Sequence, residues 1–134
     1  MKRSVRALLL LLLLSLLTAS LVSCDSRATV VKNFDAAGWD VKTINPNADE
    51  DRAVILRICS EAELKKFPSC EIIVCSKSRI PLAGILCFDT GSQLRQYLDS
   101  LGEDAYETAR EEGRIRNNCY LFYAGYGAIE IYLK

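Results

Sequence analysis

The spacing of apolar residues changes period several times along the chain, and each change predicts an element boundary. Val30, Phe34 and Ala37 recur at helical spacing, with Gly38 behind them as a C′ residue free to take positive φ, so 28–37 reads as an amphipathic helix. Trp39 to Thr43 alternates apolar with polar, the period of a half-buried strand, and Asn45-Pro46-Asn47 stops it. Asn47 and Glu50 have capping-box spacing ahead of Val54, Ile55, Ile58, Ala62 and Phe67, which predicts a helix over 48–66. A rival reading stands beside it, because 54–59 also alternates and Ser60 with Glu63 offers a second box, fitting a strand and then a short helix. Residues 71–76 and 80–88 are strand-like runs joined by the polar Ser76-Lys77-Ser78-Arg79. Both runs are apolar on both faces, as expected of central strands covered on two sides. Thr90 and Gln93 form another box before Leu94, Tyr97, Leu98, Leu101 and Ala105, predicting a helix from Gly91 to about Arg110 with Gly102 as its weak point. A strand at 114–116, a tight Asn117-Asn118 turn and a strand at 119–124 follow. The tail, 128–133, fits either a helical turn or an edge strand.

From Trp39 onward the elements run β, α, β, β, α, β, the pattern of a ferredoxin-like split sandwich. The expected fold class is α+β: an antiparallel sheet of four to five strands with helices mainly on one face, a helix added in front and a hairpin near the end. The leading helix and the tail are the candidates for covering the other face. The expected organisation is a leader over 1–23, an anchor and short polar lead over 24–29, and one domain over 30–134.

Charge changes the picture at the amino terminus. Lys2, Arg3 and Arg6 precede a block, 7–17, that is almost pure leucine, and no acidic residue occurs before Asp25. This is the plan of a secretory signal, and the largely apolar stretch 7–22, 16 residues long, falls short of the roughly 20 that a spanning helix needs. The block ends Leu21-Val22-Ser23-Cys24, which resembles the lipobox of bacterial lipoproteins. That resemblance implies that Cys24 is acylated and becomes the first residue of the mature chain, lipid-anchored in the cell membrane on its extracytoplasmic side; an ordinary signal cut near Ala19 or Ser23 is the alternative. Ala36-Ala37-Gly38-Trp39-Asp40-Val41 and Tyr123-Ala124-Gly125-Tyr126-Gly127-Ala128-Ile129 extend the likeness to small uncharacterised lipoproteins of anaerobic Gram-positive bacteria, a group that carries over no activity. Without the leader, 14 basic side chains face 17 acidic ones, an unsuitable balance for nucleic-acid binding through a basic surface.

Candidate chemistry is sparse. The chain has no His, which excludes Ser-His and Cys-His catalytic pairs and mixed His/Cys zinc sites. No cofactor motif occurs, so no cofactor or metal is expected and the chain reads as non-enzymatic. With Cys24 acylated, Cys59, Cys70, Cys75, Cys87 and Cys119 remain, an odd number that cannot all pair internally. If the hairpin turns at Ser78-Arg79, unbroken register counting sets Cys70 opposite Cys87, the candidate disulfide; a different turn breaks this pairing, and small buried thiols are the alternative. Tyr120, Phe122, Tyr123 and Tyr126 are candidates to line a ligand groove, although aromatic strand residues also pack across sheets. The expected function is therefore a membrane-anchored domain that binds a protein or small molecule, with a thiol-dependent redox protein as the rival.

Overall fold

The computed structural model describes residues 25–134; the leader, 1–23, and the acylation candidate Cys24 lie outside them. Helix α1 (Asp25–Ala36) leads into strand β1 (Asp40–Ile44), and two short helices, α2 (Asp49–Ile55) and α3 (Glu61–Lys66), precede β2 (Glu71–Lys77) and β3 (Ile80–Cys87). Helices α4 (Gly91–Leu101) and α5 (Ala105–Glu111), strands β4 (Ile115–Arg116) and β5 (Cys119–Ala124), and helix α6 (Ala128–Tyr132) complete the chain. The fold is α+β, with one five-stranded antiparallel sheet in the order β1-β2-β3-β5-β4.

Both faces of the sheet are covered, which explains the continuous apolar runs of β2 and β3. One face packs Ile73, Cys75, Ala83, Ile85 and Leu121 beneath Val30 and Phe34 of α1 and Ala128 and Tyr132 of α6. The other packs Ile72, Val74 and Leu86 beneath Ile55, Leu64, Leu94, Leu98 and Ala109, which come from α2 to α5. Among the described residues, four helices on one side and two on the other match the expected layering.

The first three strands pair in chain order and are not interleaved as in the ferredoxin-like arrangement, and broken helices account for the difference. A single helix over 48–66 would run about 28 Å at 1.5 Å per residue and deliver the chain to the far end of the sheet, as a parallel crossover requires. The chain instead divides between Ile55 and Glu61, with Ser60 capping α3 through the Glu63 amide at 3.1 Å, while Ala48 gives α2 no side-chain cap. The chain folds back, so Ile72 at the start of β2 pairs with Ile44 at the end of β1. Gly102, at φ 156°, divides α4 from α5 in the same way. The tail resolves as the helical turn α6.

The amino-terminal lead is also corrected. Residues 26–29, expected as a polar lead, belong to α1, and Ser26 is buried. Arg27 grips Glu71 of β2 with two bonds, at 2.7 and 2.5 Å, so the helix is fastened to the sheet from its first turn.

Two single-residue bulges set the register. Cys75 pairs with Ala83 and Ser76 with Pro81, leaving Leu82 unpaired; Gly84 pairs with Tyr123 and Ile85 with Leu121, leaving Phe122 unpaired. The β2–β3 turn does fall at Ser78 and Arg79, at φ 53° and 67°, with Lys77 opposite Ile80. That is the two-residue geometry whose twist suits a hairpin.

Candidate functional site

The helix-rich face does not close completely. Reciprocal bonds between Thr90 and Gln93, at 3.2 and 3.3 Å, fix the start of α4. Leu94 and Leu98 then point into the core, while Tyr97 and Leu101 turn toward a seam between α3 and the end of α4. A groove of about 170 Å³ lies in that seam, floored by Tyr120 and Phe122 and walled by Phe67, Tyr97 and Leu101, with Glu63 and Lys66 at its rim. A separate cleft of about 310 Å³ adjoins it on one side, sharing Lys66 and Tyr97 and lined also by Phe88 and Gln93. On the other side, sharing Leu101, Tyr120 and Phe122, lies one of about 520 Å³ against α5.

Aromatic contacts hold the walls. Tyr97 meets Phe67 at a centroid distance of 6.4 Å, Phe88 at 5.9 Å and Tyr120 at 6.5 Å, and Phe67 meets Phe122 at 4.9 Å. Such tilted and edge-on pairs stiffen a pocket beyond the area they bury. Burial pushes the Tyr97 hydroxyl up to about 12 and raises that of Tyr120, so both remain neutral donors at physiological pH. The floor depends on Gly84, because a Cβ there would stand 2.3 Å from Phe122 Cζ. Glycine at 84 lets the ring of the bulged residue lie on the backbone of β3.

Of the four aromatic candidates, Tyr120 and Phe122 line the groove. Tyr123 packs against the same core without lining it, and Tyr126, at 95 % exposure in the turn before α6, stands in solvent. Phe67, Tyr97 and Phe88 were not singled out by the sequence. Tyr97 sits at helical spacing with Leu94 and Leu98, and that spacing alone cannot separate a core position from a wall position.

The cysteines sort onto opposite faces. Cys70 packs with the helix-rich core and Cys87 with the other, so the expected Cys70–Cys87 pairing does not form. The turn was placed correctly, but Leu82 shifts every later partner by one and sets Glu71 opposite Cys87. The partner of Cys87 on β5 is Cys119, with 3.4 Å between the sulfurs. The buried Ser26 donates to Asn118 Oδ1, whose amide donates to Phe88 O, and the buried Tyr132 hydroxyl serves Cys119 O at 3.0 Å. The Cys119 thiol is lowered from its ordinary value, first by the hydrogen bond from Cys87 and then, against burial, by Ser26 and Arg27; Cys87 is correspondingly raised. Burial alone pushes Cys70 up to about 11 and Cys75 up to about 12, leaving both as inert thiols.

Among the described residues no group of three or more His, Cys, Asp or Glu side chains could hold a metal ion, and no helix is long and apolar enough to cross a membrane. Comparison with protein-family models, with curated proteins and with solved structures finds no match.

Proposed function

We propose that the protein is a lipid-anchored extracytoplasmic binding domain that takes a small, largely apolar or aromatic ligand in the groove between α3 and α4. The observation that carries this reading is the lipobox Leu21-Val22-Ser23-Cys24 behind a basic and leucine-rich leader, with helix α1 following from Asp25. Acylation of Cys24 would leave only Asp25 between the lipidated residue and the buried Ser26, two residue steps that span at most about 7 Å. Two acyl chains anchor stably where one is marginal. The groove supports a binding role: it is concave and aromatic, carries Lys66 and Glu63 at the rim, and presents no nucleophile with a partnering base.

Metabolic labelling with palmitate tests the anchor. Label should follow the wild-type chain and disappear in Cys24→Ala, which should leave the membrane fraction; a Cys24→Ala protein that still partitions with membrane overturns the reading. Titration of the full chain in nanodiscs with indole, read on ring-labelled Tyr and Phe, tests the groove. Saturable shifts at Tyr97, Tyr120 and Phe122 are expected, and shifts confined to the exposed Tyr126 would place binding elsewhere.

A further inference from the structure

We propose that Cys87 and Cys119 form a reversible disulfide between β3 and β5, closed by exchange with an external disulfide and opened by an external thiol. The two residues are direct antiparallel partners. The Phe88 amide donates to Asn118 O at 2.9 Å, so 88 and 118 form the hydrogen-bonded pair and 87 and 119 the neighbouring one without backbone bonds. Such positions hold Cα atoms about 4.5 Å apart, inside the range a disulfide spans, and put side chains closest together. The sulfurs, 3.4 Å apart, need about 1.4 Å of approach to bond, within reach of small side-chain rotations. Among the described residues no other thiol competes, because Cys75 shares this face but stands on β2 opposite Ala83, and Cys59 and Cys70 lie on the far face.

The environment assigns each sulfur a part. Cys87 retains 7 % exposure at the end of β3 and Cys119 has none, so an external reagent meets Cys87. Cys119 lies under Ser26 and near the Arg27 guanidinium, groups that favour a thiolate. In closing, Cys87 passes its proton across the 3.4 Å gap to the Cys119 thiolate and attacks an external disulfide, expelling one external thiolate, which takes that proton from Cys119. The Cys119 thiolate then attacks Cys87 Sγ and expels the second, and the two leaving groups take up the protons the protein thiols gave. Two protein thiols are oxidised and one external disulfide is reduced to two thiols. In opening, an external thiolate attacks Cys87 and Cys119 departs as the stabilised leaving group. A second external thiolate then frees Cys87. The anchored location would supply oxidising surroundings, but the pairing itself does not rest on it.

The test is a redox titration of the full chain in mixtures of reduced and oxidised glutathione, followed by acid quench, alkylation and tryptic mapping. Cys87 falls in peptide 80–95, Cys119 in 117–134, Cys70 and Cys75 together in 67–77, and Cys59 in 58–65. A peptide joining 80–95 to 117–134, two hydrogens lighter than the sum, should rise with the oxidised fraction and vanish in excess reduced glutathione, while the other two stay alkylated. Cys119→Ser should instead accumulate glutathione on Cys87, and Cys87→Ser should leave Cys119 unreacted. Full alkylation of both peptides in excess oxidised glutathione overturns the proposal, as does a link through Cys70 or Cys75, or a bond that excess reduced glutathione fails to open. The wild-type map stands even if a variant fails to fold. The peptide bearing Cys24 reports acylation separately in the same digest.

Discussion

The two faces of the sheet are built from the same strands and behave differently. Beneath α1 and α6, Val30, Phe34, Ile73, Ile85, Leu121 and Tyr132 are fully buried; Ser26, Asn118 and Tyr132 are tied into bonds around the sulfur pair, while the Asn33 amide nitrogen of α1 is buried without a partner. Beneath α2 to α5 the aliphatic core is equally dry at Ile55, Leu94 and Leu98, but its margin is a row of half-buried aromatic rings around a groove. The 12-residue α1 and the short α6 lie together over the first face. Short helices broken at 56–60 and at Gly102 leave the other open along the break. Under the binding role proposed above, the rings that would meet a ligand are not the ones that hold the sheet together.

The sharpest way to break the comparison is to truncate one ring on each face. Phe34→Ala should cost about 3–5 kcal/mol in urea denaturation, the usual range for a fully buried Phe, whereas Phe122→Ala, half-buried beside existing space, should cost about half as much. Equal losses would mean that the groove face is as tightly packed as the other. Closing the Cys87–Cys119 bond, which spans 32 residues, should add about 3–4 kcal/mol by the chain-entropy argument, measured as the difference between oxidised and reduced protein. Gly84→Ala should cost about 1–3 kcal/mol by forcing the Phe122 ring off the strand, and adding Phe122→Ala should recover part of that loss; strict additivity would show that ring and glycine are uncoupled. Tyr132→Phe, which removes a buried hydroxyl serving Arg114 O and Cys119 O, should cost about 1 kcal/mol in the same assay, more than any loss from Tyr126→Phe in solvent.

The smallest effect lies outside both faces, where Lys42 of β1 meets Asp51 of α2 at 2.7 Å. The Lys42 ammonium, followed by the Asn45 amide at 2.8 Å, holds the Asp51 carboxyl below the ordinary aspartate range. Because the folded value lies below the unfolded one, this contribution is present above the ordinary carboxylate range and is lost as pH falls through the folded value. A carboxyl NMR titration should find Asp51 depressed, and Lys42→Ala should bring it back up.

Much of the fold was legible because local signals agreed with tertiary need. The Thr90–Gln93 box, Gly38 at φ 81° behind α1, and the Ser78-Arg79 turn all occur where the residues place them. The helix expected over 48–66 divides because a second box begins at Ser60, so that α2 forms without a side-chain cap and α3 restarts on the Ser60 cap. In the groove, Tyr120 and Phe122 were visible as aromatic strand residues. Phe67 and Phe88 were not, since they sit just beyond α3 and β3 and gain meaning only when those ends converge on Tyr97.

By itself the sequence determined the α+β class, the two-sided burial of the central strands, and the choice of residue types that excludes histidine chemistry, because these follow from composition and from periods of two and 3.6. The tertiary structure decided which residues meet. Leu82 and Phe122 each add one unpaired position to a strand, and a period of two turns one extra residue into a change of face for every partner beyond it. That step separates Cys70 from Cys87, while the uninterrupted end of β3 brings Cys87 to Cys119.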